Sequence, residues 1–185
     1  MDNKKIEVAV KMILEAIGED PDRDGLKETP KRVASMYAEM FKGMQQDPAD
    51  YLRTSFADKH DEMILLRNIP LHSVCEHHLM PFIGNAHVAY IPDEGGIVGL
   101  SKFARVVETL SRRPQIQERL TTQIAEVINE SLKPKGVFVI IEAEHLCMSL
   151  RGGQKPGVQT ITSAVHGIFR KKEATRAEAL ALIKR

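Results

Sequence analysis

Apolar side chains at Ile6, Val10, Ile13 and Ile17 recur at steps of four, three and four, which predicts an amphipathic helix near the start of the chain. The stretch EDPDRDGLKETP interrupts that stripe with two prolines and a glycine. Thr29 followed by Pro30 reads as an N-cap with proline in the first turn. Val33, Met36, Tyr37, Met40 and Phe41 make the next apolar face, and Gly43 suits its C-terminal end. From Met63 the pattern changes. MILLRNI and GNAHVAYIP read as strands, with CEHH between them. Ser101 is placed to cap a helix bearing Phe103, Val106, Val107 and Leu110, and Pro114 opens another with Ile116, Leu120, Ile124, Val127 and Ile128 on one side. Gly136 releases the chain into the β-branched run VFVIIEAEHLC, and VQTITSAVHG is a further strand. Thr175-x-x-Glu178 has the form of a capping box for a last helix.

This order predicts an α+β chain: a helical N-terminal region over 1–60, then a region of strands and helices over 61–185, forming one structural unit without repeats. A length of 185 residues suits a single domain. Few strands between apolar helices fit a chain that hides its sheet edges in an oligomer.

Composition removes several function classes. With 26 basic and 25 acidic side chains the net charge is +1, which gives no broad field for nucleic acid or a membrane surface. No apolar run reaches the roughly 18–20 residues of a spanning helix. Charges break the first twenty residues, so they do not read as a signal peptide. The expected compartment is the reducing cytoplasm, where cysteines serve metals or catalysis more often than disulfides.

The chemistry concentrates around the two cysteines. SVCEHHLMP places Cys75, Glu76, His77 and His78 in one short segment, and His145 precedes Cys147 by two. Adjacent histidines diverge in either regular structure, so one of His77 and His78 can bind a metal while the other stays free. Cys75 and His78, three apart, can converge across a turn. His145 and Cys147 fall on one side of the predicted strand. The set Cys75, His78 and Cys147 would leave a fourth tetrahedral position for water, as in catalytic zinc sites. Three alternatives stay open on spacing alone: a Cys75–Cys147 disulfide, two inert buried thiols, or a closed structural zinc site using both histidines. His60, His72, His87 and His166 read as surface or core residues.

SVCEHH, GLSKFARVVETLSRRPQIQERLT and HLCMSLRGGQK, in that order, resemble GTP cyclohydrolase I, and the likeness runs from about Glu62 to Phe169. The resemblance implies a zinc enzyme that converts GTP and water to formate and dihydroneopterin triphosphate, the first step toward folate or biopterin. It implies Cys75, His78 and Cys147 as ligands of one Zn²⁺, His77 and His145 as acid–base groups, and Ser101 as a hydroxyl near the ribose. Lys102, Arg105 and Arg151 then hold the triphosphate, Glu118 holds the guanine edge, and Gln117 lines the same pocket. Metal-activated water would open the five-membered ring of guanine while His145 protonates N7, and His77 would assist ribose opening before the pterin ring closes. The implied fold is the tunnelling (T-fold) type: a four-stranded antiparallel sheet with two helices, closing with other copies into a barrel. Bacterial members are homodecamers with sites between subunits. Two positions depart from the family pattern: Gly152-Gly153, where one glycine and an apolar residue are expected, and His166.

Two rivals share parts of this pattern. A deazaguanine nitrile reductase has the fold and a purine-like pocket but uses NADPH, a cysteine nucleophile and no zinc. A non-catalytic, zinc-stabilised binding protein is the other.

Overall fold

The computed structural model describes residues 1–56, 60–93, 97–151 and 153–184, and the chain forms two compact units, Met1–Lys42 and Gly43–Arg185. In the first unit α1 (Asn3–Ala16) packs on α2 (Thr29–Met40). The stripe predicted for α1 is helical, but Leu14 is its buried residue, while Ile13 and Ile17 are exposed. Asp2 caps α1 through Lys5 N–H. The α2 cap is Glu28 rather than Thr29, so Thr29 and Pro30 both lie inside the first turn, where proline lacks only an N–H that has no partner anyway.

In the second unit the sheet decides everything. Its long strands are β2 (Ile64–Cys75), β3 (Pro81–Ile91), β6 (Gly136–His145) and β7 (Gln159–Gly167), each antiparallel to its neighbour. A two-residue strand, β5 (Pro114–Gln115), adds in parallel to the end of β2, so the sheet has five strands in the order β5-β2-β3-β6-β7 and is mixed. The helix expected from Pro114 therefore begins later, because Pro114 and Gln115 extend to pair with Val74 and Cys75. A separate two-stranded ladder joins β1 (Ser55–Phe56) to β4 (Ile97–Val98).

One face of the sheet carries α3 (Leu100–Ser111) and α4 (Gln117–Leu132). Phe82, Ala86, Val88 and Tyr90 of β3 meet Phe103, Val107, Leu120 and Ile124 there in one buried cluster. Each large side chain so buried contributes about 1.5–3 kcal/mol. The opposite face holds Ala89, Ile91, Phe138 and Ile140 against Phe169 and Ala179, from α6 (Ile168–Lys171) and α7 (Glu173–Ile183). Strict alternation along β3 produces both faces.

Local expectations shift in several places. Gly99 rather than Ser101 caps α3, and α7 starts at Glu173, which leaves Thr175 inside the helix. Gly43 does not end α2. It lies buried in the 3₁₀ turn Lys42–Gln45, where a Cβ would come within 2.0 Å of Thr109 O. Cys147 is not on a strand either: β6 stops at His145, and Leu146–Ser149 forms the short helix α5. Of the unusual Gly152-Gly153 pair, Gly152 lies outside the described residues.

Candidate active site

The β2–β3 turn builds half of the site. Leu79 N–H and His78 N–H both donate to Cys75 O, at 2.8 and 3.3 Å, and Cys75 N–H donates to Met80 O at 2.8 Å. Leu79 adopts φ 52°, a left-handed conformation that folds the turn back on itself. His78 is thereby returned over Cys75, with Nδ1 at 3.9 Å from Sγ.

The end of β6 builds the other half. His145 pairs in register with Phe82 of β3, whose ring stacks on the imidazole at 4.6 Å and 6°. The first turn of α5 then swings Cys147 toward the hairpin. Sγ of Cys75, a ring nitrogen of His78 and Sγ of Cys147 all lie within 4.8 Å of one another. Both cysteines are free thiols.

This donor set fits a zinc ion. Zn–S bonds of about 2.3 Å and Zn–N bonds of about 2.0–2.1 Å at tetrahedral angles separate ligand atoms by roughly 3.4–3.8 Å, close to the spacing found. Burial pushes the Cys147 thiol up, and neighbouring Cys75 pushes it further, while the charge of Arg151 pulls it back. A divalent cation beside Cys147 would favour its thiolate and offset that rise.

The three donors open onto a cavity of about 230 Å³ that is also lined by His77, Gln117, Glu118 and His145. Its volume falls below the ~300–1,000 Å³ of complete ligand pockets, so it has room for a ring system rather than a whole nucleotide. Glu118 is exposed in the first turn of α4. His145 is half-buried; burial lowers its pKa, and the carboxylate of Glu118 opposes that shift.

The GTP cyclohydrolase I family model matches residues 6–184. The chain belongs to the GTP cyclohydrolase I family. A GTP cyclohydrolase 1 of Carboxydothermus hydrogenoformans is 64% identical over 183 residues, covering 99% of this chain and 95% of its own length. The GTP cyclohydrolase 1 of Bacillus subtilis strain 168 is 57% identical over 185 residues, covering 100% and 97%. The chain is thus an enzyme of this family. Among solved structures, the apo archaeosine synthase QueF-Like aligns with a TM-score of 0.49 at 21% identity, over 59% of this chain and 97% of its own.

Within this GTP cyclohydrolase I family member, the fold gathers Cys75, His77, His78, Gln117, Glu118, His145 and Cys147 around one cavity, with Arg151 close enough to act on Cys147. It does not bring Ser101, Lys102 or Arg105 to that cavity. Ser101 and Arg105 are exposed on α3, and the Arg105 guanidinium lies 5.7 Å from the Tyr51 ring.

Several supporting residues escape sequence reasoning. Glu76 turns away from the donors and pairs with Arg119, which holds its carboxyl below the usual range. Arg119 also donates to Gln115 Oε1 at 3.0 Å, and Gln115 O accepts from Glu76 N–H at 3.0 Å, so the donor turn is tied to the start of α4. Glu144 accepts from Ser149 Oγ at 2.5 Å and Gly157 N–H at 3.0 Å, which lowers its pKa and joins both ends of the segment that carries Arg151. The charged pair Glu76 and Arg119 leaves a trace in the sequence only as two ordinary surface charges.

Proposed function

We propose that this chain is a zinc-dependent GTP cyclohydrolase I that converts GTP and water to formate and 7,8-dihydroneopterin triphosphate, the first step toward folate or biopterin, in the cytoplasm. The observation that carries this reading is the Cys75–His78–Cys147 donor set beside His145 and Glu118 in one cavity, in a member of this family.

When bound, zinc supplies Lewis acidity that activates water at neutral pH. The residues of the chain do the rest. The Glu118 carboxylate accepts from guanine N1–H and the 2-amino group together, which orients C8 toward the donors and rejects adenine. His145 donates a proton to N7 as the five-membered ring opens, and His77, exposed at the mouth, serves the ribose with Ser101. Lys102, Arg105 and Arg151 hold the triphosphate, with arginine suited to paired phosphate oxygens.

Ser101, Lys102 and Arg105 stand outside the cavity of the single chain, and the cavity is small for a nucleotide. Both facts favour a homo-oligomer, a decamer in which a neighbouring copy completes each site and the sheets close into a T-fold barrel.

The test is to incubate the protein with GTP, with and without a chelator, and to follow formate together with pterin fluorescence after oxidation. Formate and pterin are expected in equal amounts, lost on chelation and restored by Zn²⁺. Intact GTP after incubation with the metal-loaded protein would overturn the reading.

A further inference from the structure

Gln117 is 1% exposed, and its amide nitrogen Nε2 lies 3.0 Å from Ile141 O, 2.9 Å from Thr160 O and 3.1 Å from Thr162 Oγ1. Backbone carbonyls cannot donate, so the NH₂ group must face β6 and β7, and the amide oxygen must face the other way. That oxygen, Oε1, lies 2.8 Å from His145 Nε2. An amide oxygen only accepts, and Nε2 of His145 must therefore carry the hydrogen.

The hydroxyls behind the amide agree. Thr121 Oγ1 donates to Gln117 O at 2.7 Å, which uses its single hydrogen. Thr162 Oγ1, at 2.6 Å from Thr121 Oγ1, must then donate to it, leaving Thr162 free to accept from the amide. Each hydroxyl hydrogen along this chain has one assignment, and the two amide hydrogens are shared among three acceptors. Phe82, stacked on the face of the ring, holds the imidazole plane.

We propose that Gln117 is a positioning residue that locks His145 as its Nε2–H tautomer, with Thr162 and Thr121 setting the polarity of the amide. This deepens the cyclohydrolase reading and rests on it for its catalytic meaning: His145 exchanges protons with a ligand through Nδ1, which must first take up a proton before it can give one to N7, because the Nε2 hydrogen is held inside the protein. Gln117 then borders the guanine pocket with both amide hydrogens committed inside the fold, so its side chain has none to donate to the base.

The experiment uses the zinc-loaded full chain labelled with [δ1-¹⁵N]histidine and solid-state ¹⁵N spectra at about pH 8.5, two units above an ordinary histidine pKa, so that the imidazoles are neutral. His145 is identified by the difference from His145→Ala. The expected signal is pyridine-like, marking Nδ1 without a hydrogen. In Gln117→Met, which keeps the volume and removes the amide, a pyrrole-like component is expected to appear. A pyrrole-like His145 signal in the unmodified protein overturns the proposal, and that measurement decides even if Gln117→Met fails to fold. An unchanged His145 signal in a folded Gln117→Met also overturns it.

Kinetics give a second reading. Gln117→Met is expected to lower kcat roughly tenfold or more, with KM for GTP held within about twofold. A raised KM at unchanged kcat would make Gln117 a direct substrate ligand and overturn the proposal. The spectra require no GTP, so their failure leaves the cyclohydrolase reading standing, and a failure of formate release leaves the tautomer result intact.

Discussion

At the scale of single residues, two side chains show how surroundings set chemistry. Glu118 is exposed and poised at the cavity, and its proposed task is to accept two hydrogen bonds from guanine. Each such bond to a charged acceptor is worth about 1.5–3 kcal/mol, so Glu118→Ala is expected to lower kcat/KM for GTP on the order of 10²-fold or more. Steady-state assays with GTP and inosine triphosphate, which lacks the 2-amino group, check this: the preference for GTP should vanish in the variant. His87 is a different case. It is buried, Nδ1 accepts from Asn68 N–H at 3.3 Å, and desolvation lowers its pKa, with Glu142 opposing the shift and Arg67 adding to it. The unfolded chain therefore binds the proton first. The stability that His87 contributes is complete above about pH 6.5 and is lost as pH falls from there through the lower folded value. Thermal unfolding from pH 7 to pH 5 is expected to show a smaller fall in Tm for His87→Asn, which keeps an acceptor for Asn68, than for the unmodified protein.

At the scale of elements, the strand ends place the site. The register of β3 on β6 puts Phe82 opposite His145, and that of β5 on β2 puts Gln115 opposite Cys75. A slip by one residue would turn His145 to the other face of the sheet. Gly84 guards this register, because a Cβ there would lie 1.8 Å from Glu142 O and 2.6 Å from Ala143 Cα. Gly84→Ala is expected to destabilise the protein by about 1–3 kcal/mol or more, as overpacking against backbone does. Denaturant titration measures the loss, and a midpoint unchanged from the parent would show that β3 and β6 can separate there at no cost. A bulge adjusts β2 as well: its register on β3 shifts between Leu66 and Ile69, where Asn68 takes φ 57°. Asparagine tolerates that left-handed conformation better than most residues do.

At the scale of the whole molecule, the single chain holds Cys75, His78, Cys147 and Glu118 at one cavity but keeps Ser101, Lys102 and Arg105 elsewhere. The proposed sharing of sites between copies makes a direct prediction. A Lys102→Ala/Arg105→Ala double variant and a Cys147→Ser variant, each inactive alone, should regain activity when co-expressed. Random pairing of copies in a symmetric assembly would return about a quarter of normal activity. Recovery no greater than the sum of the two variants would mean that each chain carries its whole site. Among the described residues, no helix is long and apolar enough to cross a membrane.

Much of this architecture was legible beforehand because period and chemistry are local properties. Alternation exposed the strands, and the three-residue step from Cys75 to His78 required only a turn. The α4 start at Gln117, the mixed sheet and the placement of Cys147 on a short helix were not legible. Each depends on partners distant in the chain: Pro114 extends because Val74 is beside it, and β6 ends at His145, opposite Phe82. Gln117 makes the same point at the site itself. By its spacing it was one polar residue in a helix, and only the carbonyls of Ile141 and Thr160, 24 and 43 positions away, turn its amide toward His145. The sequence by itself determined the helix and strand periods, the cysteine and histidine motifs and the family. The tertiary structure alone decided which way hydrogen bonds run and which side chains share a cavity, because those depend on distances between segments that no local pattern encodes.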